Sequence, residues 1–84
     1  MVEDKQRFLN KLTVALQDTA LFGNEKGNRL TRMELITDQY GCERVRPIFE
    51  DGLGEDGDLD INVNNSSCLA MIGDIYEQFI QPWF

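Results

Sequence analysis

The densest group of side chains able to do chemistry is acidic: Glu50, Asp51, Glu55, Asp56, Asp58 and Asp60, all within eleven residues. Carboxylates in such a run can steer and pair with a basic surface, hold a cation, or act as a catalytic acid and base. The plainest account is a solvated glycine-rich turn, which needs no partner to be stable. The sharper account is a recognition surface for a basic protein groove. If Asp58 and Asp60 lie on one strand, alternate carboxylates recur about every 6.6–7 Å, close to the phosphate spacing of a nucleic-acid strand. That spacing predicts a mimic of nucleic acid that inhibits a host protein. Read for calcium, Asp56, Asp58 and Asp60 occupy positions one, three and five of an EF-hand-like run. Position six is then Ile61 where glycine is required, and position twelve is Ser67 where glutamate is required. No specific metal site is expected, and weak cation binding is the third functional reading.

The chemistry that is missing narrows the field further. There is no histidine, so no Ser-His-Asp or Cys-His pair and no imidazole base. The two cysteines, Cys42 and Cys68, are too few for a disulfide framework and have no histidine to complete a zinc set. Cys68 sits at a predicted helix start, where the dipole lowers a thiol pKa, but neighbouring acids oppose that; a small half-buried hydrophobe is the expected role. No glycine-rich phosphate loop is expected, neither GxxxxGK[ST] nor GxGxxG. No cofactor is expected, and no enzyme activity, because so small a two-layer domain has little interior for a substrate. A sequence pI near 4.3 disfavours direct nucleic-acid binding. Met1-Val2-Glu3-Asp4-Lys5-Gln6-Arg7 lacks the apolar stretch of a secretion signal, and no apolar run approaches the roughly 20 residues of a membrane span. The cytoplasm is the expected location.

The charges are unevenly placed along the chain. All eight lysines and arginines lie within the first 46 residues, beside seven carboxylates; the remaining 38 residues hold eight carboxylates and no cation. The net charge of −7 therefore belongs to the C-terminal half, whose acids must face water, a metal, the basic half of the chain, or a basic partner.

The elements that position these groups can be read from periodicity. Residues 3 to about 21 predict an amphipathic helix with the stripe Phe8, Leu9, Leu12, Ala15 and Leu16, closed by Gly23. Residues 29–38 fit either a helix or a strand. The strand is preferred because two further strands follow and a two-stranded ribbon is marginal alone; it puts Thr31, Met33 and Leu35 on one face. Residues 42–50 predict a second strand, with Val45 and Phe49 to one side and Arg44, Arg46 and Ile48 to the other. Pro47, which cannot donate to a ladder, argues for an edge or a bulge. Asp51-Gly52-Leu53-Gly54-Glu55-Asp56-Gly57 is a turn, and residues 58–63 alternate as a half-buried strand with Asp58, Asp60 and Asn62 outside. Ser66 or Ser67 caps a last helix with the stripe Cys68, Met71, Ile72, Ile75, Tyr76 and Phe79, ended by Pro82. The expectation is a single α+β domain over residues 1–84: a three-stranded antiparallel sheet with two helices on one face, order α-β-β-β-α. Phe79, Trp83 and Phe84 either complete the core or form a contact for a partner or a homodimer, which makes a self-assembling module the alternative function.

Two resemblances follow from these residues. The element order is that of the double-stranded-RNA-binding domain, a family that grips phosphates with lysines at the start of its last helix. Here that place reads Asn64-Asn65-Ser66-Ser67-Cys68-Leu69-Ala70, without a lysine, and the departure removes that function. The run Asn65-Ser66-Ser67-Cys68-Leu69-Ala70-Met71-Ile72-Gly73-Asp74-Ile75, with the acidic hairpin before it (residues 50–75 together), resembles a segment of small uncharacterised phage- and prophage-encoded proteins. That resemblance implies origin only, with no catalytic residues to carry over. It implies an accessory protein working in a bacterial cytoplasm. The functional expectation is a non-enzymatic acidic protein that binds a basic surface of a host protein.

Overall fold

A computed structural model describes residues 2–23, 28–64 and 66–83, the side chains at 2, 3 and 83 excepted. The element order is α1 (Val2–Gln17), β1 (Leu30–Thr37), β2 (Glu43–Phe49), β3 (Ile61–Asn62) and α2 (Cys68–Ile75). α2 runs on into a π-helical turn, Tyr76–Ile80, and a 3-10 turn, Gln81–Trp83. The strands form one antiparallel sheet in the order β1-β2-β3, so the molecule is of the α+β class with the α-β-β-β-α order.

α1 ends at Gln17 rather than near residue 21. The backbone tightens there: Asp18 and Thr19 donate to the carbonyls of Ala15 and Leu16, and the Thr19 hydroxyl also donates to Leu16 at 2.6 Å. Gly23 has a different role from the expected left-handed cap. A Cβ at that position would lie 1.9 Å from the Gln17 carbonyl oxygen, so the residue is needed for close backbone approach. Within the helix Leu9 and Leu16 are buried as expected. Ala15 is exposed, and Thr13 takes the inward place, its hydroxyl donating to the Leu9 carbonyl.

β1 is a strand, with a bulge between Leu30 and Arg32. The extra residue lets Leu30 and Met33, three apart, both point inward. Thr31 is thereby turned out of the expected inward set, and its hydroxyl donates to the Ile48 carbonyl. Across the sheet Leu35 faces Val45 and Val45 faces Ile61, which puts them on one face. One core cluster joins that face to Leu9 and Leu16 of α1 and to Met71 and Ile75 of α2, so both helices cover the same side of the sheet.

Pro47 lies in the central strand, not at an edge of the sheet. β3 pairs only with Arg44 and Val45, so Pro47 is past its end, and that flank of β2 has no ladder for an N–H to join. β3 is far shorter than the expected run over 58–63. Leu59, Ile61 and Val63 keep the inward alternation, but only two residues form the ladder.

Phe79, expected to complete the core or meet a partner, is a core residue: it is buried and stacks on Phe22 with ring centroids 5.0 Å apart, while Phe49 tilts against it at 6.0 Å. The Trp83 side chain and Phe84 lie outside the described residues. Ser67, not Ser66, caps α2 by accepting from the Ala70 N–H; the Ser66 hydroxyl donates to Asp74.

The two edges of the sheet are closed in the same chemical way. Gln6 of α1 donates through Nε2 to the Met33 carbonyl at 2.9 Å and accepts the Leu35 N–H at 2.8 Å. Gln78 of the π turn accepts the Asn62 N–H at 3.0 Å and donates to the Asn62 carbonyl at 2.9 Å. Each amide stands in for one residue of a missing neighbouring strand and occupies groups that would otherwise template edge-to-edge pairing.

Candidate functional site

The acidic residues sit on a folded loop, not on a strand. Between β2 and β3 the chain passes through successive turns, with Gly52, Gly54 and Gly57 all at φ near +90°. The loop turns back on the end of β2: the Phe49 N–H donates to the Leu53 carbonyl, and Ile48 is buried. Gly54 is the tightest point. A Cβ there would fall 2.0 Å from the Pro47 carbonyl oxygen, and φ is +92°, so no L side chain fits without moving the loop.

Side chains complete the loop's own hydrogen bonding. Asp51 Oδ1 accepts the Leu53 N–H and Asp56 Oδ1 accepts the Asp58 N–H, each an Asx-type turn. Asn28 and Arg29 tie the loop's start to the base of β1 through the Asp51 and Glu50 N–H groups. Gly52, Gly54 and Gly57 are spaced G-x-G-x-x-G, which corrects the expectation that this pattern is absent. In a dinucleotide site such a loop opens a helix and offers free N–H groups. This one leads into β3, and the N–H groups of Gly52, Leu53, Glu55, Gly57, Asp58 and Asp60 are already bonded within the loop and to Phe49.

Asp60 leaves the candidate set. Its carboxylate takes both arms of Arg46, Nε to Oδ1 at 2.9 Å and Nη2 to Oδ2 at 3.1 Å, and the pair is only 28 % and 13 % exposed. The hydrogen bonds to Asp60 hold the Arg46 guanidinium charged, raising its pKa above the usual arginine value against the opposing effect of burial. The other arginines of the sheet are paired within the N-terminal half, Arg32 with Glu34 at 2.6 Å and Arg44 with Asp38 at 3.8 Å. Lys5 reaches Glu43 at 2.7 Å.

Glu50, Asp51, Glu55, Asp56 and Asp58 remain exposed, and among the described residues none of them has an ion-pair partner. With Asp56 and Asp58 in turns and Asp60 bridged, the strand-borne phosphate-like spacing does not exist. The calcium reading meets the same fact, and no group of three metal-ligating side chains comes together among the described residues.

Two other places were candidates for chemistry. Both cysteines are half-buried and unbridged. An apolar cleft of about 480 Å³ opens between the end of α1 and the π turn, lined by Leu16, Thr19, Ala20, Leu21, Phe22 and Ile80, with no titratable side chain in its wall among the described residues. α2 and the start of the π turn divide the apolar stripe: Met71 and Ile75 are buried, while Leu69, Ile72 and Tyr76 are 80 %, 43 % and 47 % exposed. The stripe expected from the sequence includes Ile72 and Tyr76 beside Met71 and Ile75 and leaves Leu69 out.

Compared with known proteins, the chain matches no family model, no curated protein and no solved structure. Among the described residues no helix is long and apolar enough to cross a membrane.

Proposed function

We propose that this is a non-enzymatic binding protein that engages a basic surface of another protein through the loop between β2 and β3. The observation that carries the reading is a set of five exposed carboxylates, Glu50, Asp51, Glu55, Asp56 and Asp58, on a backbone pinned by its own hydrogen bonds and by the close approach of Gly54 to the Pro47 carbonyl. A pinned loop presents its charges without a further ordering cost on binding. Charge of this density speeds encounter with a cationic partner and makes affinity fall with salt. The resemblance of residues 50–75 to phage- and prophage-encoded proteins fits an accessory protein that acts in a bacterial cytoplasm by occupying a host protein. Arg46 and Asp60 build the loop's exit and do not contact the partner.

The test neutralises charge and keeps the turns. Asn retains the Oδ1 acceptor at positions 51 and 56, so Glu50→Gln, Asp51→Asn, Glu55→Gln, Asp56→Asn and Asp58→Asn together leave the loop folded. Bacterial proteins captured by the wild type at about 0.05 M salt should be basic, released at about 0.5 M, and not captured by the quintuple variant. Equal capture by the two chains, with equal salt dependence, overturns the proposal.

A further inference from the structure

We infer that the apolar cleft between the end of α1 and the π turn is the second part of the partner-binding surface, and that it takes the apolar side chains of a cationic amphipathic helix whose lysines or arginines lie against Glu50 and Asp51. This rests on the loop proposal and adds to it the chemistry of the partner segment.

The backbone fixes where the cleft lies relative to the loop. On one side of the start of β1 the Phe22 carbonyl, in the cleft wall, accepts the Leu30 N–H; on the other side the Glu50 N–H donates to the Arg29 carbonyl. Three chain segments thus run side by side, and two strand spacings, about 10 Å, separate the cleft wall from the first carboxylates of the loop. The same rings support both parts. Phe22 belongs to the wall, Phe79 precedes Ile80 of the wall, and Phe49 precedes Glu50; Phe22 and Phe79 stack at 5.0 Å, with Phe49 tilted against them at 6.3 and 6.0 Å. Cleft and loop are therefore held in one arrangement before any partner arrives.

The wall calls for an apolar occupant. The hydroxyl of Thr19, the one polar side chain in the described wall, already donates to the Leu16 carbonyl at 2.6 Å and accepts the Phe22 N–H at 3.3 Å. The volume of about 480 Å³ lies within the roughly 300–1,000 Å³ of ordinary ligand sites.

Charge selects which apolar occupant. The described stretches that supply the cleft, residues 12–23 and 66–83, contain no lysine or arginine, so a fatty acid or other anionic ligand finds no cation there for its head group. The same stretches expose Asp18 and Glu77. Arg29 is exposed beside the loop, but one cation against Glu50, Asp51, Glu55, Asp56 and Asp58 leaves that side acidic. The complement is a segment with apolar side chains at one place and cations about 10 Å further on. On an α-helix that is about two turns, i to i+7 on one face, so the partner docks as an amphipathic helix in a groove.

Two labelled synthetic peptides test this by fluorescence anisotropy. Both are alanine-based helices of about 18 residues with three lysines on one face; one carries leucines two turns before the lysines, and the other carries serines there. At about 0.15 M salt the leucine peptide should bind at least tenfold more tightly than the serine peptide, and that excess should persist at about 0.5 M. Ala20 is exposed at the cleft, so Ala20→Gln and Ala20→Trp alter it without disturbing the core. Each should bring the leucine peptide down to the level of the serine peptide at an unchanged melting temperature. The quintuple loop variant should weaken both peptides and keep the excess between them. Equal binding of the two peptides by the wild type overturns the inference, as does an excess that survives both Ala20 variants or is lost instead in Leu69→Ser. If the quintuple variant binds the serine peptide as tightly as the wild type does, the loop reading itself fails.

Discussion

The two edges of the sheet are closed by the same amide chemistry but rest on different supports. β1 pairs along nearly its whole length with β2, and Gln6 closes its outer side from a 16-residue helix that also places Gln17 Nε2 on the Leu30 carbonyl. β3 has a two-residue ladder, and its position is fixed by groups outside that ladder: Gln78 on its outer side, Asp60 on Arg46 just before it, and the Val63 N–H on the Glu43 carbonyl just after. On the first edge the glutamine finishes a strand that its neighbour already defines. On the second, side-chain hydrogen bonds and one flanking backbone bond define the strand. Stability should therefore be concentrated on the β1 side, and local opening should begin at β3.

Substitutions can break that comparison. The largest effect is expected at Phe79, which fixes the π turn presenting Gln78: Phe79→Ala should cost about 3–5 kcal/mol in urea unfolding, through the cavity left against Phe22 and Phe49. Asp60→Asn, which leaves Arg46 half-buried with a neutral partner, should cost about 1.5–3 kcal/mol and remove hydrogen-exchange protection around Ile61 and Asn62 before it affects β1. Gln6→Ala should cost about 1–2 kcal/mol, because the groups it leaves on β1 are partly buried, and should free the Leu35 amide to exchange. Gln78→Ala should cost least globally, about 0.5–1 kcal/mol, because water reaches Asn62, yet should abolish protection of that amide. If Gln78→Ala proves costlier than Gln6→Ala, the β3 edge is the stronger of the two and the comparison is reversed.

Much of this arrangement was legible in the sequence. Alternation at Leu59, Ile61 and Val63, helical spacing at Leu9 and Leu16, and the serine before Cys68 gave the element order and class. What was not legible depends on contacts made at a distance. The bulge at Leu30 moves Thr31 outward, and no local pattern announces it. Three glycines predicted a turn but not that Gly54 would sit against the Pro47 carbonyl. The acidic run was visible at once, whereas the loss of Asp60 from it required knowing that Arg46 faces it across the sheet. Ile72 and Tyr76 belong to the apolar stripe yet are exposed, because periodicity gives the width of such a stripe but not how much of it the neighbouring layer covers.

Arg46 and Pro47, side by side in β2, have a practical consequence for anyone cutting the chain. Trypsin cleaves after lysine and arginine but not before proline, and no later cation exists, so its last site is Arg44 and residues 45–84 stay in one piece. A glutamate-specific protease has Glu50, Glu55 and Glu77 in that piece. Nicking by the first enzyme reports loosening of the chain up to Arg44 alone; the second also cuts at Glu3, Glu25, Glu34 and Glu43, so only its cuts at Glu50, Glu55 and Glu77 report loosening of the loop and the π turn.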